Sequence, residues 1–367
     1  MTNRILKPAL ACTFAAAIAA APATAEDFYK GKRLTVMINY PAGGPADIDG
    51  RIFAKHIGKH IAGTPTVIVQ NMGGAGGTIG TKYIAEKGPK DGSLLGILTG
   101  AAWRYVNFPE KFKVDFKSYE FVAYQPGTSV YFMRTETKPG IKQPADLMKA
   151  DGLVAGGLGA ENAKDILIRL TLDMLGVKYS YVTGFRGSAG ARLALERGEI
   201  DFYAESPPSY RSVVEPNLVK TGKALGLFYD PRFVDGKFRV PNQVKGMTLP
   251  PFHEFYKQLK GGQMPSGQLW DIYQRILAVN GMLQRMVVFA PGVGRAPIDA
   301  MQAAIVKLNT DPEFAKDAEA KVGFVPDYET GPNTNKEVRE ALTVPAGVTA
   351  FIKDYVVKGH SLKAGGK

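Results

Sequence analysis

Four times along this chain a short β-rich segment runs directly into a glycine-rich turn and then into a segment with helical apolar spacing. Leu34–Asn39 leads into Tyr40–Pro45, Thr66–Val69 into Asn71–Gly77, Leu153–Gly156 into Gly157–Gly159, and Tyr179–Val182 into Gly184–Ser188. After the first turn, Ile48, Ile52, Phe53, Ile57 and Ile61 fall on one helical face; after the third, Ile166, Leu167, Leu170, Met174 and Leu175 do the same. Strands that alternate with helices cannot close as hairpins, so this order predicts an α/β protein with mostly parallel sheets flanked by helices. Leu94–Thr99 and Ile200–Ala204 add a further strand to each run. The pattern restarts midway through 367 residues, a length beyond the roughly 250 to 300 residues of one core. Two domains follow. Phe121–Met133 is β-rich without a helix and is the expected crossing, with Met286–Phe289 as the return. That groups 26–125 with 286–367 in one domain and leaves 126–285 as the other.

Residues 1–25 carry Arg4 and Lys7, then the apolar stretch Ala9–Ala20, then Ala23-Thr24-Ala25. This is the layout of a secretory signal peptide cleaved after Ala25, which predicts export to a bacterial periplasm. The apolar core is too short for a membrane anchor, and the polar Glu26-Asp27 follows it. Reading Cys12 as a lipoprotein site would shorten that core further. Cys12 is the single cysteine, so no intramolecular disulfide and no cysteine-based zinc site is expected. No later segment reaches about eighteen consecutive apolar residues. Lys and Arg total 46 against 34 Asp and Glu, a net charge of +12, which suits anionic partners. The basic residues form no run interleaved with aromatics, so no nucleic-acid partner is expected.

A helix start presents unpaired N–H groups and the positive end of its dipole, and glycine lets backbone approach a ligand closely. In parallel α/β sheets such loops gather at the carboxyl ends of the strands. Two domains aiming such loops at one cleft would clamp a small anion. The alternative for Gly73–Gly80 is a dinucleotide fingerprint, but Ile79 stands where the third glycine of G-x-G-x-x-G belongs. No Gly-Lys-Ser/Thr follows any loop, and no cofactor is expected. His56 and His60 have metal-ligand spacing but lack a third ligand nearby, so they read as a solvated helix face.

Several of these segments resemble motifs of the Bug family, the tripartite tricarboxylate transporter receptors. Tyr40–Arg51 (YPAGGPADIDGR) is similar to that family's first ligand loop, P-x-G-G-x-x-D-x-x-A-R, and Asn71–Gly80 (NMGGAGGTIG) to N-R-P-G-A-G-G-x-I-G. Lys90-Asp91-Gly92 with Leu94-Leu95, Phe185–Asp201, Ala290-Pro291-Gly292 and Asp311–Phe314 resemble further family segments, so the likeness runs along nearly the whole chain after residue 25. The resemblance implies a two-domain periplasmic-binding-protein fold of the Venus-flytrap, type II-like kind, with a hinge of two crossing strands. It also implies a monomeric receptor that closes on a small organic anion, a mono- or dicarboxylate, and delivers it to a tripartite tricarboxylate-type permease without catalysis. Carried over by position, the first-domain contacts are Ala42, Gly43, Gly44, Pro45, Ala46 and Asp47, then Gly73, Gly74, Ala75, Gly76, Gly77 and Thr78. The second-domain contacts are Gly159, Ala160, Glu161 and Asn162, then Arg186, Gly187 and Ser188, and Glu205 by analogy.

The chain departs from the family pattern in ways that bear on the ligand. Met72 replaces an Arg, Ala160-Glu161-Asn162 stands where the family has Gly-Ser and later His, and Gln258–Leu283 reads as an insertion. A cleft-facing Glu161 or Glu205 would repel a second carboxylate or recognise an amine. Asp47 also fits a helix-start residue that satisfies free N–H groups, and Arg186 is the basic side chain best suited to a carboxylate. Trp103, Tyr105 and Phe108 could line a pocket for an aromatic acid or fill a core. Two other functions compete: a periplasmic enzyme on an anionic substrate with Glu161 or Glu205 as general base, and a ligand-sensing receptor for a membrane kinase.

Overall fold

The computed structural model describes residues 28–234, 236–343 and 346–364. Residues 1–25, expected from the sequence to be a signal peptide, lie outside the described residues. Strands β1 (Arg33–Ile38), β2 (Thr66–Asn71), β3 (Leu94–Thr99) and β4 (Glu120–Gln125) come first. They are followed by β5 (Val130–Arg134), β6 (Leu153–Gly157), β7 (Tyr179–Thr183), β8 (Phe202–Glu205) and β9 (Ala224–Tyr229). A small hairpin, β10 (Arg232–Val234) and β11 (Lys237–Arg239), precedes β12 (Arg285–Phe289) and β13 (Glu329–Thr330).

These strands make two large sheets, ordered β13-β4-β12-β3-β1-β2 and β7-β6-β8-β5-β9. Both are mixed, and most of the antiparallel pairings have a simple cause. β12 runs antiparallel to β3 and β4, and β5 runs antiparallel to β8 and β9; the two-residue edge strand β13 also pairs antiparallel with β4. Each of β5 and β12 is the first strand after a crossing from the other sheet. It starts at the cleft, where the parallel strands end, and must run away from it. Burial follows position in the sheet: β3 (LLGILT) is buried along nearly its whole length, whereas the edge strand β2 alternates between half-buried and exposed residues.

Each sheet has its own apolar core. The C-terminal helix Ala346–Ala364 departs from the grouping expected for 286–367, because Val348, Ile352 and Val356 pack into the second core. Those residues recur every fourth position, a stripe that needs an apolar partner. Trp103 and Phe108 also join the second core, while Ala101 and Ala102 belong to the first. The segment after β3 is therefore wedged between the lobes.

The two strand crossings touch. Gly127 N–H donates to the Gly281 carbonyl at 2.9 Å, and Gln284 Nε2 donates to the Thr128 carbonyl at 3.3 Å. A Cβ on Gly127 would overlap the Gln284 amide, so glycine is required for this approach. At the start of β12, the buried Arg285 lies 3.2 Å from Asp49 of the helix Pro45–Ile57. This pair ties the helix behind the first glycine turn to the hinge.

Candidate functional site

Three contiguous cavities lie between the lobes, with about 750, 850 and 890 Å³ of atom-free space that includes their solvent-open mouths. Leu158 lines all three. Ala42, Gly44, Pro45, Ala46, Asn162, Gly187 and Ser188 line the first. Gly73, Gly74, Ala75, Gly76, Gly77 and Arg186 line the second. Thr78, Gly159, Ala160 and Glu161 line the third. Gly43, Asp47 and Glu205 line none of them.

Asp47 shapes the first loop from behind. Its carboxylate accepts from Gly43 N–H, Arg51 Nε and Asn71 Nδ2, each at 2.9 Å. Burial would raise its carboxyl, but the hydrogen bonds from Arg51, Gly43 and Asn71 hold it below the usual carboxylate range. Pro45 fixes the first helical position, and Ala46 beside it lines the cavity in a turn whose N–H groups have no intrahelical acceptor. The second loop takes positive φ at Gly74, Ala75, Gly76 and Gly77. Two side chains hold it so: Tyr40 Oη donates to the Gly76 carbonyl at 3.0 Å, and Asn39 Nδ2 reaches the Gly77 carbonyl at 3.3 Å. Asn39 also exchanges two hydrogen bonds with the Thr99 backbone, so one fully buried amide fixes the ends of β1 and β3 and the second loop together.

The second lobe supplies a cation that sequence reading missed. Lys164 stands in the first turn of the helix Ala163–Leu175, lines the first cavity, and has no carboxylate within ion-pair distance among the described residues. Burial pushes its ammonium below the usual lysine range, while the charges of Asp165 and Glu205 pull it back up. A cation at a helix start opposes the dipole, and that misplacement in the sequence was the available signal. Lys164 Nζ donates to Tyr203 Oη at 2.8 Å, and Ser188 Oγ lies 3.3 Å from the same hydroxyl. Ser129, Ser206, Asn280 and Gln284 complete the polar lining and were not singled out either. Asn280 belongs to Gln268–Met282, within the segment read as an insertion.

The acids expected in the cleft are already engaged. Glu205, fully buried, receives Arg192 Nη1 at 2.7 and 2.8 Å, and Arg192 Nη2 crosses the cleft to the Gly43 carbonyl at 3.0 Å. Glu161 pairs with Lys111. Neither carboxylate is placed to act as a free general base, which removes the geometric support for the enzyme alternative. Arg104 spans the cleft at the other end, from the Ala75 carbonyl and Thr78 Oγ1 to Asn162 Oδ1. Trp103, Tyr105 and Phe108 line none of the three cavities; the Trp103 indole N–H donates to the Glu161 carbonyl at 3.0 Å. His56 and His60 differ from the solvated face expected, each lying 2.9 Å from a carboxylate, of Asp317 and Asp311 respectively. No cluster that could hold a metal occurs among the described residues.

The arrangement thus turns three helix starts, at Pro45, Ala163 and Gly187, and one unpaired ammonium toward a single cavity. Such a site favours negative charge on what it encloses. A two-lobed α/β chain with this site between its lobes belongs by fold to the periplasmic-binding-protein class.

Comparison with known proteins narrows that class. No family model matches the sequence. Over 202 residues the chain is 32% identical to the UPF0065 protein of the TAR-I ttuE–ttuC′ intergenic region of Agrobacterium vitis, a match spanning 54% of this chain and 57% of that protein. The periplasmic binding protein BugD superposes with a TM-score of 0.61 at 20% identity, covering 91% of this chain and 97% of its own. A TctC solute-binding protein from Polaromonas gives 0.52 at 20% identity over 90% and 99%. MatC from Rhodopseudomonas palustris, solved with bound malate, gives 0.60 at 16% over 89% and 99%. The chain thus shares its fold with periplasmic binding proteins of the Bug and TctC type.

Proposed function

We propose that this protein is a periplasmic receptor that captures a small organic anion, a mono- or dicarboxylate, between its lobes and presents it to a tripartite tricarboxylate-type permease. The observation that carries this reading is the pairing of three helix starts with Lys164, which has no ion-pair partner among the described residues, in a cavity that no carboxylate lines. Backbone N–H groups would bind one end of the ligand at the Ala42–Ala46 turn, and Lys164 with Ser188 would bind from the other lobe. The bound malate of MatC supports the ligand class. The periplasmic proteins of the same fold support the compartment, and the layout of residues 1–25 supports export with cleavage after Ala25. Hinge rotation at the two crossings is the motion such a clamp requires.

A thermal-shift screen tests the reading, because a ligand that binds only the folded state raises the melting temperature by mass action. Malate, adipate, lactate and benzoate are compared with their neutral amides. A concentration-dependent rise with an acid and none with its amide is the expected result. No rise with any acid, together with no small molecule released on denaturation, contradicts it.

A further inference from the structure

The second lobe holds a chain of three hydroxyl and amine groups whose proton directions are fixed by chemistry. An ammonium has donors only, so at 2.8 Å Lys164 Nζ donates and Tyr203 Oη accepts. The Lys164 ammonium also lies 4.2 Å from the centre of the Tyr203 ring, which holds it in place. Tyr203 has one proton, and Ser188 Oγ at 3.3 Å is the acceptor beside it. Ser188 Oγ therefore receives, and its own proton points away from Tyr203. Lys164 and Ser188 line the first cavity, whereas Tyr203 is fully buried and lines none of the three.

We propose that Lys164, Tyr203 and Ser188 form a donor relay that makes this wall of the cleft specific for an ionised carboxylate and hostile to the corresponding amide. The inference rests on the anion-receptor reading and names what that site selects. Ser188 presents a hydrogen to the ligand, and so do the remaining Lys164 protons. A carboxylate sets one accepting oxygen on each donor; an amide has a single accepting oxygen, so its NH₂, like an ammonium, would meet donor against donor. Glu205 does not reverse the preference, because Arg192 neutralises it. Asp165 is buried beneath the site, where it accepts from Gly159 N–H and Tyr181 Oη. Tyr203 is a positioning residue: it touches no ligand and acts through the two groups it aligns.

Two measurements on the intact protein test the relay. The first compares affinities for acid and amide pairs, lactate with lactamide and adipate with its diamide, in the wild type and in Tyr203→Phe, which keeps the ring and removes the hydroxyl. The acid preference is expected to fall by roughly tenfold, the scale of one charge-assisted hydrogen bond, and Lys164→Arg is expected to keep more of it than Lys164→Met. An unchanged acid-to-amide ratio in Tyr203→Phe overturns the proposal. The second needs no ligand: ¹³Cε-lysine NMR follows Lys164, with Asp165, Glu205 and Arg192 left in place around it. Loss of the Tyr203 acceptor is expected to make Lys164 titrate at lower pH, and coincident titrations overturn the relay. If none of the four acids binds the wild type and denaturation releases no small molecule, the receptor reading falls, and the NMR result still decides the relay.

Discussion

The Arg192 guanidinium joins the Glu205 carboxylate, at 2.7 and 2.8 Å, to the Gly43 carbonyl across the cleft at 3.0 Å. One side chain thereby neutralises a fully buried acid and holds the two lobes together. Removing one partner of a buried pair leaves an uncompensated charge, at a cost of about 3–5 kcal/mol. Arg192→Ala is expected to lose stability of that order in urea denaturation, and adding Glu205→Gln should recover part of it. A single variant as stable as the wild type would mean that Glu205 is satisfied some other way.

Asn39 is the residue on which the first-lobe loops depend. Asn39→Ala leaves the Thr99 carbonyl and N–H without the partner they have here, while the Gly77 carbonyl keeps Thr81 Oγ1. Each unsatisfied buried group costs about 1–3 kcal/mol. The expected outcome is a loss of a few kcal/mol, with faster amide exchange at Thr99. Unchanged exchange there would contradict the role.

The second glycine loop tolerates no side chain at its apex. Gly76 has φ 62°, and a Cβ on it would overlap the Arg104 guanidinium that links Ala75 and Thr78 to Asn162. Gly76→Val is expected to weaken acid binding at least tenfold while the core, remote from the loop, keeps the fold cooperative. Titration calorimetry and thermal melting together check it; full affinity in this variant would show that the Arg104 bridge is dispensable.

Asp230 sets a pH dependence. It is buried, receives Tyr131 Oη at 2.9 Å and Tyr273 Oη at 2.8 Å, and has no cationic partner among the described residues. Burial pushes its carboxyl up to about 7, against the opposing hydrogen bonds from Tyr273 and Tyr131. The unfolded chain releases this proton near pH 4, so between about pH 4 and pH 7 the native state binds more protons. Stability from this group therefore falls as pH rises through that window. Urea midpoints at pH 5 and pH 8 should differ less in Asp230→Asn than in the wild type. Equal differences would show that Asp230 ionises without penalty.

The alternation of strands, glycine turns and helices was enough to place both sheets, because strand ends and turn glycines are local signals. β3 coincides with the predicted Leu94–Thr99, and β12 contains Met286–Phe289. Loops on the cleft were legible for the same reason. Side-chain roles were not, since they depend on partners far along the chain. Glu205 stands at a strand end as anticipated, but it is fully buried, lines no cavity of the cleft and is consumed by Arg192 on a neighbouring helix. Asn39 looked like a strand terminus, and its work lies at Gly77 and Thr99. The helix Ala346–Ala364 gave no local sign of crossing to the second core, because apolar spacing reports that a face is buried and not against what.

The most direct test of the account is isothermal titration of the purified protein with malate, adipate, lactate and benzoate, wild type beside Lys164→Met. The account predicts saturable one-to-one binding of at least one acid to the wild type, weakened at least about thirtyfold in the variant, as expected for losing one partner of an enclosed charge pair. Equal affinity in the two proteins would contradict the placement of the anion between the lobes.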